Sequence, residues 1–306
     1  MSRYFWQKTV SFMLTALLVS AITFLIVQIL PGDPALLLLG TEGSPQAYEQ
    51  LRNELQLHRP ALVRYFSWFS GFFQGKWGSS LRYSLPVTQL VAEAIPLSVG
   101  IALCAVVLAL TLAIPAGIFV ASNPQSRVAQ VLAAGSQIGM AIPQFWLGLL
   151  LIQVFAVRFT LLPAGGSDDL VGLILPVFTL ALPRAAVLTR FVNVGLSEAL
   201  EEDYIRTAKG KGLPWRTVLY KHALRNGILG VFTVAGLQFA QLLAGTIVVE
   251  QVFALPGVGQ LLLAGVLQRD LPLVQTLVML IVFLILIFNL LFDLCLGFLD
   301  PRLRYD

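Results

Sequence analysis

Charge is scarce in this chain. Asp, Glu, Lys and Arg make up 12% of its 306 residues, about half the share usual in a globular domain. Hydrophobic residues make up 57%, more apolar surface than a water-soluble core could hide at this length, so lipid must serve as part of the solvent. Cysteine is nearly missing: Cys104 and Cys295 alone occur, both within apolar runs, which excludes a disulfide framework or a cysteine metal centre. Histidine is limited to His58 and His222, too far apart for ligand spacing, so no metal site is expected. No Gly-x-x-x-x-Gly-Lys-Ser/Thr stretch is present to cradle nucleotide phosphates, and Gly210-Lys211-Gly212 is no substitute, having the wrong spacing and no preceding strand. His-Glu-x-x-His and Gly-x-Ser-x-Gly are absent too. Accordingly no catalytic residue is assigned, the chain is not expected to be an enzyme, and no cofactor of its own is expected. The net charge of +4 reads as membrane anchors rather than a nucleic-acid patch.

What is abundant is long apolar runs. Six occur, over residues 9–30, 97–121, 131–157, 171–189, 228–249 and 273–299, each long enough at about 1.5 Å per residue to cross roughly 30 Å of hydrocarbon. The first, preceded by Arg3 and Lys8, is longer than a signal-peptide core and ends in a Pro-Gly-Asp-Pro helix stop at 31–34, so it is expected to be an uncleaved spanning helix. Pro115 and Pro143 fall inside spans and are expected to be tolerated there. The chain is therefore expected to be all-α, a polytopic membrane protein with about six transmembrane helices. It divides into 1–30, the N-terminus and first span; 31–96, an external segment with an amphipathic helix; and 97–306, a core of five spans with a charged loop at 198–226.

Lysine and arginine set the expected orientation. Arg3, Lys8, Arg127, the basic loop from Arg190 to Arg225, Arg302 and Arg304 share one side, while most opposing cations lie in one long segment. Long segments weigh little in the positive-inside rule, so both termini are expected in the cytoplasm. In the external segment, Ser44-Pro45 fits a helix start, and Tyr65, Phe66, Trp68, Phe69, Phe72 and Phe73 precede a turn at Gly75–Gly78. That pattern suits an interfacial helix with an aromatic belt, or a surface that receives an external partner.

The largest charged stretch lies between spans four and five. Asp203 is expected to cap a short helix, Lys209 and Lys211 suit its last turn, Gly212 suits a left-handed C-terminal position, and Pro214 opens a second helix running to about Arg225. The run Asp203-Tyr-Ile-Arg-Thr-Ala-Lys-Gly-Lys-Gly-Leu, followed by His222-Ala-Leu-Arg-Asn, resembles the EAA loop of binding-protein-dependent ABC importer permeases, in the "B" position of the peptide/nickel branch. Other motifs agree in order: Pro31-Gly-Asp-Pro, Glu250-Gln-Val-Phe-Ala-Leu-Pro-Gly-Val-Gly, Arg269-Asp270 and Asp300-Pro-Arg-Leu-Arg. Arg206, Thr207 and Ala208 stand where the general pattern has Glu, Ala and Ala, and Arg225 replaces a common proline; both variants resemble the same branch. Gln56, His58 and Lys76 depart from its outer segment.

The resemblance implies a type I ABC importer permease in a plasma (inner) membrane, pairing with a second homologous permease as a heterodimer. Two ATPase subunits, which use ATP and Mg, would dock beneath, and an external solute-binding protein would deliver peptides or nickel chelates. Asp203, Tyr204, Arg206, Ala208, Lys211 and Gly212 would form the ATPase-docking knob. Gln137 and Gln144 fall on one face of span three, and Gln238, Gln241 and Gly245 on one face of span five; they line a translocation path or bond between helices. Glu250, Pro256, Gly257 and Gly259 form an outer loop near a gate, or a structural turn. Arg184 and Asp293 are internal polar anchors. The competing reading is an ion-coupled secondary transporter, against which stand the missing inverted repeat and the near absence of acids in the spans.

Overall fold

The computed structural model describes residues 2–29, 44–54, 58–166 and 169–299. The helix stop at 31–34, Gln56 and the closing motif at 300–304 lie outside these. Among the described residues the chain is built of helices: α1 (Ser2–Ile29), α2 (Pro45–Glu54), α3 (Ala61–Phe73), α4 (Val87–Ser122), α5 (Arg127–Ala141) and α6 (Gln144–Leu151, prolonged by a π-helical stretch Ile152–Arg158). Then come α7 (Ile174–Glu201), α8 (Asp203–Gly210), α9 (the consecutive stretches Trp215–Thr217, Val218–Ala223 and Leu224–Gly227), α10 (Leu229–Val252), α11 (Val258–Leu267) and α12 (Leu271–Leu299).

Helices α1, α4, α7 and α12 are each long and apolar enough to cross a membrane. The third predicted span is not one straight helix: α5 and α6 meet at 107°. Pro143 is the cause. A residue preceding proline is pushed out of the helical region, and Ile142 is extended at φ −72°, ψ 123°. Pro96, Pro115 and Pro183, by contrast, stay within helices. The fifth run is α10, 24 residues long. Two boundaries also move. The second span begins at Val87, capped by Pro86, so one helix runs through the expected division at residues 96 and 97. The fourth continues past residue 189 to Glu201 because Leu188, Val192, Leu196 and Ala199 keep one face buried after the apolar run ends. Hydropathy stops there while amphipathic periodicity goes on.

The centre of the fold is the crossing of α4 and α7. Ala105, Ala109, Ala113 and Gly117 recur every fourth residue and are buried, so the stripe lets two backbones approach closely. A Cβ on Gly117 would fall 2.5 Å from Val192 Cβ and 2.9 Å from the Thr189 carbonyl oxygen, which leaves room for hydrogen alone. A second close crossing joins α7 to α9, where a Cβ on Gly195 would lie 2.6 Å from the Gly227 carbonyl.

The outer flank is aromatic. Tyr65 on α3 is 2.7 Å from Ser20 Oγ on α1 and packs edge-on against Phe24. Phe72 stacks on Trp77 and reaches Phe283 on α12. Helix α3 therefore clamps α1 and α12 together. At the other end of that pair, Lys8 Nζ lies 2.9 Å from Asp293 Oδ2, which places the start of α1 beside the last turns of α12. Leu14, Leu18 and Leu25 on α1, Val107 on α4 and Leu291 on α12 are exposed, as suits faces in hydrocarbon.

Candidate functional site

Three constellations sit at different depths of this bundle, and the first is the charged loop. Helix α7 ends at Glu201, and the extended backbone of Glu202 turns the chain into α8. Asp203 is the first residue of α8 and not its capping side chain; Glu202 holds the cap position without a side-chain bond. Asp203 instead pairs with Arg206 on the surface at 3.3 Å and adds negative charge to the first turn, where the helix dipole favours it. The far end is a Schellman turn. Leu213 N–H donates to the Ala208 carbonyl at 3.4 Å, Gly212 N–H donates to the Lys209 carbonyl at 3.0 Å, and Gly212 adopts φ +74°. Lys209 Nζ lies 5.1 Å from the Trp215 ring centroid and ties the two arms across the turn.

The knob has two faces. Ile205 and Ala208 are buried, as are Val218, Leu219 and Ala223 of α9, and all five join the main core of the bundle at the foot of α7. Tyr204 is partly buried against that cluster. Asp203, Arg206, Lys211 and Gly212 are exposed, and a Cβ on Gly212 would meet open space. Of the six predicted knob residues, four therefore present an outer surface, while Tyr204 and Ala208 hold it in place.

The second constellation is a polar strip inside the bundle. Arg184 on α7 donates from Nη1 to Gln238 Oε1 at 3.1 Å and to Gln241 Oε1 on α10. Gln144, the first residue of α6, packs on Gly245 so tightly that a Cβ there would sit 2.7 Å from Gln144 Oε1. Gln137 does not join this group. The bend at Ile142 puts Gln137 and Gln144 on separate helices, which overturns the expected common face. Arg184, an isolated cation in the sequence, is the residue that brings the two α10 glutamines together; the signal was its position within an apolar run.

The third lies at the far end of α10. Glu250 is fully buried. Its Oε1 accepts from Ser98 Oγ at 2.6 Å, and its Oε2 accepts from Gly259 N–H at 2.7 Å and Gln260 N–H at 3.1 Å. Ser98 Oγ in turn accepts from Val258 N–H at 2.8 Å. The carboxylate and the serine thus satisfy the first N–H groups of α11, which a helix leaves unpaired. Gly257 and Gly259 are required by this approach: a Cβ on Gly257 would lie 2.3 Å from Glu250 Cδ, and one on Gly259 would lie 2.4 Å from Ile247 Cα. Pro256 stays exposed at the turn. Asp270 repeats the device for α12, accepting from Leu273 N–H at 3.3 Å and from Ser80 Oγ at 2.5 Å. Ser98 and Ser80 were not legible in sequence, since each is distant along the chain from the acid it meets. Among the described residues no cluster of His, Cys, Asp or Glu could hold a metal ion.

Known proteins resemble the chain along its length. The chain is 35% identical over 316 residues to the oligopeptide transport system permease protein AppB of Bacillus subtilis, covering all of both chains. It is 37% identical over 308 residues, again covering all of both, to the glutathione transport system permease protein GsiC of Pectobacterium atrosepticum. Among solved structures, a methionine ABC transporter in an inward-facing conformation superposes with a TM-score of 0.56 at 16% identity, over 70% of this chain and 98% of that one; that likeness concerns the fold alone. The model for the N-terminal part of such membrane components matches residues 1–102. With residues 113–305 matching the model for the binding-protein-dependent transport system inner membrane component, the chain belongs to that family of transport permeases.

Proposed function

We propose that this chain is one permease of an ATP-driven, binding-protein-dependent importer whose cargo is peptides. The observation that carries the reading is the α8–Gly212–α9 knob, a helix pair rooted in the main core with an exposed polar surface. Such a knob suits insertion into a groove of a soluble partner, and here the partner is an ATPase subunit. Two of these supply the ATP and Mg chemistry. A second, homologous permease completes the pore as a heterodimer, and an external binding protein delivers cargo to the α11 side.

Both termini and the knob lie on the cytoplasmic side. The Lys8–Asp293 pair supports a shared side for the termini. Four crossings by α1, α4, the α5–α6 pair and α7 then bring α8 to that side, and the lysines and arginines gather there. Peptide cargo is favoured over metal chelates because the full-length relatives are named for oligopeptide and glutathione transport. Reconstitution of the complete complex into proteoliposomes tests the proposal. Uptake of a labelled peptide should require ATP together with the binding protein. Uptake driven by an ion gradient without the ATPases would establish a secondary transporter instead.

A further inference from the structure

The strip around Arg184 holds hydrogen-bond donors that lack acceptors. Arg184 lies on α7 about 15 Å along the axis from Ile174, near the middle of a spanning helix. Its Nη1 is engaged by Gln238 and Gln241, yet its Nε is buried with no acceptor among the described residues. The ion pairs among those residues involve Lys8, Arg52 and Arg206, and no carboxylate of the described residues is paired with Arg184. Gln144 Nε2, beside Gly245 one turn along α10 from Gln241, is a second buried donor without an acceptor. Both orphan groups have the same polarity. A guanidinium and an amide N–H2 short of acceptors in a low-dielectric setting favour an anion or a carbonyl-rich group nearby, and disfavour a cation.

The direction the strip faces follows from its depth. Gln241 is exposed on the isolated chain. A cation and amides at mid-depth are costly against hydrocarbon, so this face turns toward the partner permease or a water-filled path. We infer that Arg184, held by Gln238 and Gln241 and flanked by Gln144, binds the carboxylate of a peptide as it passes through the translocation path. The inference rests on the peptide-importer reading and adds to it a preference for cargo with a free C-terminus. The glutamines occupy Nη1 and orient the fork, which leaves Nη2, unbonded and not among the buried orphan atoms, to meet the cargo, while the buried Nε and Gln144 amide add uncompensated donor charge behind it.

The test uses the complete transporter in proteoliposomes, with the binding protein saturated by one peptide in two forms, free acid and C-terminal amide, chosen so that the binding protein holds both. The readout is the ratio of free-acid to amide uptake. The wild-type complex should favour the free acid. Arg184→Gln should lower that ratio about tenfold, as loss of a charge-assisted bond predicts, and Gln144→Leu should lower it less. Arg184→Lys keeps a cation and should retain a weaker preference. Should Arg184→Gln fail to assemble, the wild-type and Arg184→Lys ratios decide the matter, and no preference in either overturns the inference. Equal loss of both cargoes in Arg184→Gln also overturns it, and assigns the cation to packing or to a carboxylate of the second permease. A wild-type complex that moves neither peptide overturns the peptide reading itself.

Discussion

Glu250 is an acid at the end of an apolar helix and forms no ion pair among the described residues. It is held by three donors: the Ser98 hydroxyl and the N–H groups of Gly259 and Gln260. Removing the carboxylate leaves the Gly259 and Gln260 N–H groups without their acceptor, at about 1–3 kcal/mol for each unsatisfied group, while Ser98 Oγ can still donate to the Ala94 carbonyl. Glu250→Ala is therefore expected to destabilise the protein by roughly 3–5 kcal/mol, and Ser98→Ala by about 1–2 kcal/mol, because the serine loss orphans only the Val258 N–H and one carboxylate contact. Thermal unfolding of the purified complex in detergent would rank the two, and an equal or smaller shift for Glu250→Ala would contradict the arrangement. The acid was visible in the sequence as part of an outer loop. Its partner was not, because Ser98 is 152 residues away and one serine in an apolar helix looks like any other.

At the scale of elements, the α8–α9 pair shows how much a local pattern carries. The left-handed glycine, the basic last turn and the second helix after Pro214 were each legible, since caps and turns depend on neighbouring residues alone. Which side chains face outward was not, because the burial of Ala208 depends on α9 and the foot of α7. Gly212 separates conformation from docking. Aspartate tolerates a left-handed backbone far better than a β-branched residue does, and the side chain would enter open space. Gly212→Asp should therefore leave expression and membrane insertion intact while cutting cargo-stimulated ATP turnover about tenfold or more, by placing a charge on the docking surface. Gly212→Val adds roughly 1–2 kcal/mol of backbone strain and should also lower the yield of folded complex. Full turnover in the aspartate variant would remove the knob from the coupling route. The α5–α6 bend teaches the opposite lesson. Pro143 was visible, but prolines at 96, 115 and 183 stay within their helices, so proline alone does not identify a break.

For the whole molecule, six apolar runs and the distribution of cations lead to one orientation, and accessibility labelling checks it. In a Cys104→Ser, Cys295→Ser background, single cysteines at Lys211 and at Gln268 should lie on opposite sides of the membrane. A membrane-impermeant maleimide added to right-side-out vesicles should label Gln268→Cys and spare Lys211→Cys until the membrane is opened. Labelling of both from outside would break the six-crossing topology. The clamp of α3 on α1 and α12 belongs to this scale as well. The aromatic run at 65–73 suited either a membrane interface or a partner surface; in the fold it packs Tyr65 and Phe72 onto Phe24 and Phe283 and leaves Phe66 and Phe73 exposed.

By itself the sequence determined the class of protein, the number of apolar runs and the charged loop. Each of these depends on composition or on residues close together along the chain, where helix geometry and transfer into lipid act on neighbours. Only the tertiary structure decided that Arg184 gathers Gln238 and Gln241, that Gln137 and Gln144 part at Ile142, and that Glu250 closes on α11 through Ser98. Those arrangements depend on which helix faces which. That is set by small-residue crossings such as Gly117 on Val192, whose four-residue spacing marks a close-packed face but not the helix it meets, and by hydrogen bonds between segments more than a hundred residues apart, which leave no periodic trace in the sequence.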